Sequence, residues 1–139
     1  MAIHYYTEDC TLKFDNRRAV NRWISETIAA EDRKRGEISI IFCSDRYLLD
    51  INRKHLDHDY FTDIITFDYG EADWVSGDLF ISLDTVRSNA QEYGVTFLQE
   101  LHRVIIHGVL HLCGYPDKAP AEALIMRSKE DFYLNLLTL

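Results

Sequence analysis

Two histidines and an aspartate in the segment HGVLHLCGYPDK, residues 107–118, have the spacing of a metal site. His107 and His111 are four residues apart, so on a helix their side chains lie on one face, about 5–6 Å apart, where both can bind one ion. Gly114 is expected to end this helix and turn the chain, which would let Asp117 return to the same ion. The spacing therefore predicts one divalent metal ion, and Zn²⁺ is the expected one.

A purely structural interpretation of the same residues stays open. His107 and His111 could be hydrogen-bonded core residues of a largely apolar helix, and Asp117 could be a turn residue in YPDK. The residue after the first histidine excludes one class of enzyme, because zinc peptidases carry their glutamate base there and this chain has Gly108. Phosphodiester cleavage does not need that base, since a metal can activate water or stabilise charge on the phosphate while an RNA 2′-hydroxyl attacks.

Hydrophobic periodicity and turn residues predict the elements that position these side chains. Ser44 and the Thr96–Gln99 pair are expected to cap helices, Gly94 to end one, and Pro120 to open the last. The predicted strands cover residues 2–6, 10–14, 37–44, 64–69 and 78–83, and the predicted helices cover residues 16–36, 45–56, 84–94, 97–114 and 120–137. This order favours an α+β fold, a small mixed β-sheet packed with helices, whose zincin-like metal-site helix lies near the C-terminus.

The length and composition are those of one globular domain over residues 1–139, without repeats or linkers. A net charge of −8 disfavours binding to polyanions through bulk charge, so such a partner would need local cations or a metal. No segment has the length of a membrane span or the pattern of a signal peptide, so we expect a cytoplasmic protein. Cys10, Cys43 and Cys113 show no metal-binding spacing and are expected to be buried thiols.

Several motifs resemble those of the YbeY family of bacterial metal-dependent endoribonucleases. HGVLHLCGY, residues 107–115, is similar to the family hallmark H-G-x-L-H-L-x-G-Y-D-H. INRKHLDHDYFTDIITF, GDLFISL and EALIMRSKE resemble further family segments in the same order, so the resemblance covers roughly residues 36–132. It implies cleavage of single-stranded RNA in 16S rRNA 3′-end maturation and ribosome quality control. The implied partners are rRNA and the small ribosomal subunit, with no membrane and no DNA.

The chain departs from the family pattern at two positions. Asp117 occupies the place of the third histidine, and a carboxylate is an accepted zinc ligand beside two histidines. Leu56 occupies the place of an arginine thought to contact RNA, so that role cannot be carried over. Another cation is expected to contact phosphate instead, and the sequence does not choose among the five candidates. These are Arg53, Lys54, His58, Arg103 and Lys118.

The resemblance and the position of other polar residues suggest supporting roles. Asp78 is expected to line the cleft or brace a metal ligand, although a plain turn role is equally open, and Lys118 is the cation assigned to catalysis. Thr62 and Asp63 match a family T-D pair with either a capping or a substrate role. Glu122 could accept a hydrogen bond from a ligand histidine, but the helix dipole alone favours a glutamate there.

Two further residues near the motif are excluded as ligands by their helical phase. His102 and Cys113 are expected to face away from the site, with Cys113 as a buried thiol. The function that the resemblance implies, and that the spacing of the motif permits, is a metal-dependent endoribonuclease. The alternatives are a non-catalytic ribosome-associated binding factor with a structural or vestigial metal site, and a hydrolase of a smaller substrate.

Overall fold

The computed structural model describes residues 2–58 and 61–138. In chain order its elements are β1 Ile3–Thr7, α1 Arg17–Ala30, β2 Lys34–Cys43, α2 Asp45–His55, β3 Ile64–Asp68, β4 Trp74–Ser82, α3 Leu83–Tyr93, α4 Phe97–Leu112 and α5 Pro120–Leu134. The strands form a four-stranded sheet in the order β1-β2-β4-β3. β1, β2 and β4 run parallel and β3 runs antiparallel to β4. This confirms the α+β class with a small mixed sheet.

Helix α4 lies at the centre of the core on one face of the sheet. It contacts β3 and β4 and is flanked by α1, α3 and α5. Ile105 and Val109 are fully buried, as expected for a helix that is apolar around most of its circumference. Gly108 lets the helix approach the sheet closely, because a Cβ atom there would lie 2.6 Å from Ile64 Cδ1 and 3.0 Å from Leu79 Cδ2. The packing of this central helix fixes the direction in which its two histidines point.

Helix α2 packs on the opposite face of the sheet. Leu48 of this helix forms a second buried cluster with Cys43 and Ile65, and Phe67 and Phe80 pack against it. The sheet is therefore covered by α4 and its neighbours on one face and by α2 on the other. None of the helices within the described ranges is long and apolar enough to cross a membrane.

The predicted helix ends that depend on capping residues are confirmed. The Ser44 hydroxyl accepts a hydrogen bond from the Tyr47 backbone N–H at 3.1 Å. Thr96 and Gln99 form a reciprocal capping box at the start of α4, with distances of 3.1 and 2.9 Å. Gly94 ends α3 with φ +68°, a conformation that glycine adopts without strain. The start of the metal-site helix is thus encoded locally in the sequence.

Several predicted elements are wrong in whole or in part. Strand β4 begins at Trp74, four residues earlier than predicted, and β2 begins three residues earlier, because Lys34 and Trp74 already pair in the sheet. Residues 10–14 form no strand: their apolar side chains pack on the core, and the place beside β2 is taken by β1. Helix α1 ends at Ala30 and not at residue 36, because Asp32 takes φ +59° and Lys34 already pairs with Trp74 in the sheet. Helix α5 ends at Leu134, three residues earlier than expected.

Candidate metal centre

His107 and His111 project from the same face of α4, as their spacing predicts. Their ring centroids are 4.5 Å apart and the rings are nearly perpendicular, at 86°. Both side chains are about one-fifth to one-quarter exposed, at 22% and 24%. The pair is therefore at the edge of the core, where a solute or an RNA strand can reach it.

The turn after α4 brings Asp117 back to both rings. Gly114 takes φ +106°, and the backbone N–H of Tyr115 donates to the carbonyl of Leu110 at 3.1 Å. Asp117 Oδ2 then lies 3.2 Å from Nε2 of His107 and 3.3 Å from Nε2 of His111. The structure thus brings together the three residues that the sequence selects as ligands, each partly exposed.

The second nitrogen of each ring is already engaged. His111 Nδ1 lies 2.8 Å from the backbone oxygen of Tyr115, and His107 Nδ1 lies 2.6 Å from Glu130 Oε2. A carbonyl and a carboxylate both accept hydrogen bonds, so both Nδ1 atoms can donate a proton, which in the neutral ring leaves the lone pair on Nε2. Both Nε2 atoms face the Asp117 carboxylate. This tautomer is the one in which histidine binds a metal through Nε2.

The geometry of these three ligand atoms fits a zinc-sized ion. Ligand atoms at about 2.0–2.2 Å from a tetrahedral zinc lie roughly 3.3–3.6 Å from one another. The separations from Asp117 Oδ2 to the two Nε2 atoms are 3.2 and 3.3 Å, close to that range. Three protein ligands leave one tetrahedral position open, which is the arrangement of catalytic rather than structural zinc sites.

The electrostatics at the two rings differ. Burial alone would lower the pKa of His107, but the hydrogen bond to Glu130 and the negative charges of Glu130, Asp117 and Asp63 outweigh it and raise the pKa. Burial, together with the charge of His107, lowers the pKa of His111. Two imidazoles and a carboxylate beside an additional acidic partner form a locally negative site, which favours a bound cation.

Glu130 is the site residue that sequence reasoning missed. It is 4% exposed, and besides His107 it binds Arg103, with Nη1 to Oε1 at 2.9 Å. Burial alone would raise its pKa, but the hydrogen bonds from His107 and Arg103 lower it. A signal was present, because Glu130 shares one face of α5 with the buried Met126 and Tyr133. A glutamate on an apolar helix face requires a partner in the core.

Glu122, which was considered as a hydrogen-bond acceptor for a ligand histidine, instead caps a helix. Its Oε1 accepts a hydrogen bond from the Ala119 backbone N–H at 2.9 Å, which caps the start of α5. Asp63 lines the same cavity as His107. Burial raises the pKa of its carboxyl group. Its neighbour Thr62 is partly buried.

The structure does not bring Asp78 to the candidate ligands. Its strand neighbours Gly77 and Leu79 face α4, as their close contacts with Leu112 and Gly108 show. Because side chains alternate along a strand, Asp78 points to the opposite face, and its Oδ2 accepts a hydrogen bond from the Tyr69 hydroxyl at 3.2 Å. The expectation that Asp78 lines the cleft or braces a metal ligand is therefore wrong.

The candidate cations divide into two groups. Lys118 is exposed and directly follows Asp117, and Arg103 lines the cavity beside His107. Arg53 and Lys54 belong to α2, on the other face of the sheet, and Leu56 caps the end of that helix. Exposed His58 follows two residues later. Of the five candidate cations, only the first group adjoins the cluster.

The two residues excluded as ligands do face elsewhere. His102 is 7% exposed and lies between the rings of Phe14 and Trp23, with burial lowering its pKa. Cys113 is a partly buried free thiol whose pKa burial raises to about 11. Cys43 is buried and Cys10 is partly buried, and both are free thiols as well.

Comparison with known proteins places this geometry in a family. The family model described as endoribonuclease YbeY matches residues 2–138. The chain is 53% identical to endoribonuclease YbeY of Parabacteroides distasonis over 99% of this chain and 96% of that protein. It is 52% identical to endoribonuclease YbeY of Bacteroides thetaiotaomicron over 94% of this chain and 96% of that protein.

A solved structure agrees with this relationship. The solution structure of the Thermotoga maritima protein TM1509 superposes with a TM-score of 0.68 and 26% identity, covering 98% of this chain and 89% of that one. The family match and the close relatives extend over nearly the full chain and include the helix that carries both histidines. The chain therefore belongs to the YbeY family.

Proposed function

We propose that this protein is a metal-dependent endoribonuclease that cleaves single-stranded RNA, acting in the cytoplasm as a single domain over residues 1–139. Membership in a family whose relatives are named endoribonucleases supports the reaction class. Within that class we assign it to 16S rRNA 3′-end maturation and ribosome quality control, with the small ribosomal subunit as partner.

One observation carries the catalytic part of the proposal. The Oδ2 atom of Asp117 lies 3.2 and 3.3 Å from the Nε2 atoms of His107 and His111, and both Nδ1 atoms contact other acceptors. One ligand atom from each of the three residues lies within 4.8 Å of the other two. A buried core histidine has no need for a second histidine and a carboxylate at these distances. The arrangement supports a ligand set for one divalent ion, and its nitrogen and oxygen donors favour Zn²⁺.

The protein residues have distinct tasks in this proposal. A bound ion would supply Lewis-acid stabilisation of charge on the scissile phosphate and activation of water. His107, His111 and Asp117 hold it, and Glu130 fixes the orientation of the His107 ring through Nδ1. To Lys118, which is exposed and directly follows Asp117, we assign a contact with a phosphate oxygen of the RNA strand.

The packing of Gly108 opposes the peptidase alternative. A Cβ atom at this position would already contact Ile64 and Leu79 of the sheet, so a glutamate base could not be accommodated there. The helix that carries the ligands is packed too closely on the sheet for the H-E-x-x-H arrangement.

Substrate comparison tests the proposal. We expect the metal-loaded protein to cleave a single-stranded RNA and to leave the DNA of the same sequence intact, because the 2′-hydroxyl is the group that distinguishes them. His111→Ala should abolish cleavage, whereas His4→Ala, which removes an exposed histidine on β1, should leave it unchanged. Metal binding without cleavage of any RNA would instead support a non-catalytic ribosome-associated factor.

A further inference from the structure

A cavity of about 190 Å³ opens beside the candidate metal ligands, between α3, α4 and α5. His107 and Asp117 form one part of its wall. Tyr93 of α3, Glu100 of α4 and Arg127 of α5 form other parts. Anything that occupies the cavity therefore lies next to a group held by the metal centre.

Glu100 is the unusual residue of this cavity. It is 4% exposed, and no residue in the ranges 2–58 and 61–138 donates a hydrogen bond to its carboxylate. Burial and the charge of the nearby Asp63 raise its pKa, so the charged form is disfavoured without a ligand. The Glu100 carboxylate lines the cavity and feels the charges of Arg103 and Arg127, so a ligand in the cavity that carries N–H donors can reach its oxygens.

A second metal ion does not account for Glu100. The three-residue cluster suited to a metal ion within the described parts of the chain is His107, His111 and Asp117. Glu100 lies two helical turns before His107, outside that cluster. The cavity also contains the cations Arg103 and Arg127, which oppose a second bound cation.

The other walls of the cavity suit a flat aromatic ligand. Val104 and Met126 contribute buried apolar surface, at 3% and 2% exposure. Tyr93 is 56% exposed and offers an aromatic ring at the edge. Single-stranded RNA is recognised by bases that stack on aromatic side chains and form hydrogen bonds along their Watson–Crick edge.

Arg127 supplies the remaining feature of a nucleotide site. Its side chain is 56% exposed at the mouth of the cavity, and its nearest ion-pair contact, to Glu130 Oε1, is long at 3.8 Å. An exposed guanidinium at the entrance can bind a phosphate with two N–H donors. The cavity thus offers an apolar wall, an aromatic edge, a deep acceptor and an outer cation.

We propose that this cavity binds a guanine base of the RNA strand, with Glu100 as the residue that determines specificity. Guanine presents two adjacent donors on its Watson–Crick edge, N1–H and the N2 amino group, which match the two oxygens of one carboxylate. Adenine, cytosine and uracil each place an acceptor beside any donor there, and the acceptor would face a carboxylate oxygen. The inference rests on the proposed RNA substrate.

Mononucleotide binding tests this proposal independently of cleavage, because a mononucleotide contains no bond that joins two nucleotides. GMP, IMP, AMP and UMP are titrated into the metal-loaded protein by calorimetry. IMP is the matched control, since it retains N1–H and lacks the N2 amino group. A good bidentate base contact corresponds to about 5- to 150-fold discrimination, so GMP should bind at least about fivefold more tightly than the other three.

Variants assign the preference to its residue. Glu100→Gln should reduce the GMP preference to less than about twofold, because a carboxamide offers one acceptor where the base needs two. Glu26→Gln, an exposed glutamate on α1, should retain it. Equal binding of the four nucleotides by the wild-type protein overturns the proposal even if Glu100→Gln fails to fold, and so does a GMP preference that survives this substitution. If GMP is preferred but no RNA is cleaved, the nuclease function fails and the guanine site stands.

Discussion

The Nδ1 atom of His107 lies 2.6 Å from Oε2 of Glu130, a glutamate that is 4% exposed. This contact joins the centre of α4 to the last third of α5, 23 residues along the chain. It leaves Nε2 of His107 free to face Asp117 and fixes the plane of the ring. A hydrogen-bonded carboxylate behind a ligand histidine raises the basicity of the ligand and sets its orientation.

Removing the charge of Glu130 should therefore weaken metal binding without removing a ligand. We expect Glu130→Gln to weaken metal affinity about 10- to 100-fold, measured by competition with a chelating dye. Asp131→Asn is a matched control, because Asp131 also binds Arg103, at 2.8 Å, but does not contact His107. Equal affinities of the two variants would show that Glu130 does not act through the histidine.

Asp117 should behave as a ligand and not as a turn residue. We expect Asp117→Ala to weaken metal affinity by at least about 100-fold, because loss of a ligand should cost at least as much as loss of its supporting partner. Asp117→His should retain binding, since an imidazole there gives a three-histidine site. Stoichiometric metal analysis of the purified variants measures both effects. Undiminished metal in Asp117→Ala would return this residue to a purely structural role.

Glu31 should link stability to pH through the turn that carries the ligands. Its carboxylate accepts hydrogen bonds from the hydroxyls of Tyr115 and Tyr133 and from Lys129. Burial alone would raise its pKa, but these donors outweigh it and lower the pKa. A lowered pKa in the folded state means that this stabilisation is present above the unfolded pKa and is lost as the pH falls through the folded value.

We therefore expect Glu31→Gln to lower the free energy of unfolding by about 1–3 kcal/mol at pH 7, a range typical of hydrogen bonds to a charged group. The difference from wild type should shrink as the pH falls below about 4. Urea denaturation at pH 7, 5 and 3 measures it, with Glu26→Gln, at an exposed position of α1, as control. A difference that is constant over this range would contradict the linkage.

Two glycines at the contact between α4 and the sheet should differ in their tolerance of a methyl group. A Cβ at Gly77 would lie 2.3 Å from the backbone oxygen of Phe67, which cannot move without breaking the sheet. At Gly108 the nearest atoms are the side-chain ends of Ile64 and Leu79. Gly77→Ala should therefore cost about 3 kcal/mol or more, and Gly108→Ala less, because the gain in helix propensity of about 1 kcal/mol offsets part of the overpacking. Urea denaturation at pH 7 ranks the two, and an equal loss would contradict the packing argument.

The ligand triad could be predicted from sequence because its geometry is nearly local. His107 and His111 share one helix face by spacing alone. Gly114 turns the chain, so that Asp117, six residues after His111, returns to the same point. The capping residues of α4 are equally local, which is why the start of this helix at Phe97 is predictable. Local hydrogen bonding and helical periodicity act over the same few residues that a sequence pattern describes.

The remaining features depend on tertiary packing. Glu130 contacts His107 because of the place where α5 crosses α4. Without knowledge of that crossing, Glu122 is an equally plausible hydrogen-bond partner for the histidine. Asp78 was misplaced because strand alternation gives two faces and the sequence does not say which one meets α4. Residues 10–14 have the pattern of a strand, but their apolar side chains pack on the core without joining the sheet. Each of these features depends on which surfaces of the helices and the sheet contact one another.

The central claim is that one ion held by His107, His111 and Asp117 is required for RNA cleavage. The most direct measurement is the rate of single-stranded RNA cleavage by chelator-stripped protein during titration with Zn²⁺. We expect no cleavage without metal, a linear rise with added ion and a plateau at about one equivalent per chain. Full activity of the stripped protein, or activity that is unaffected by added ion, would contradict the account.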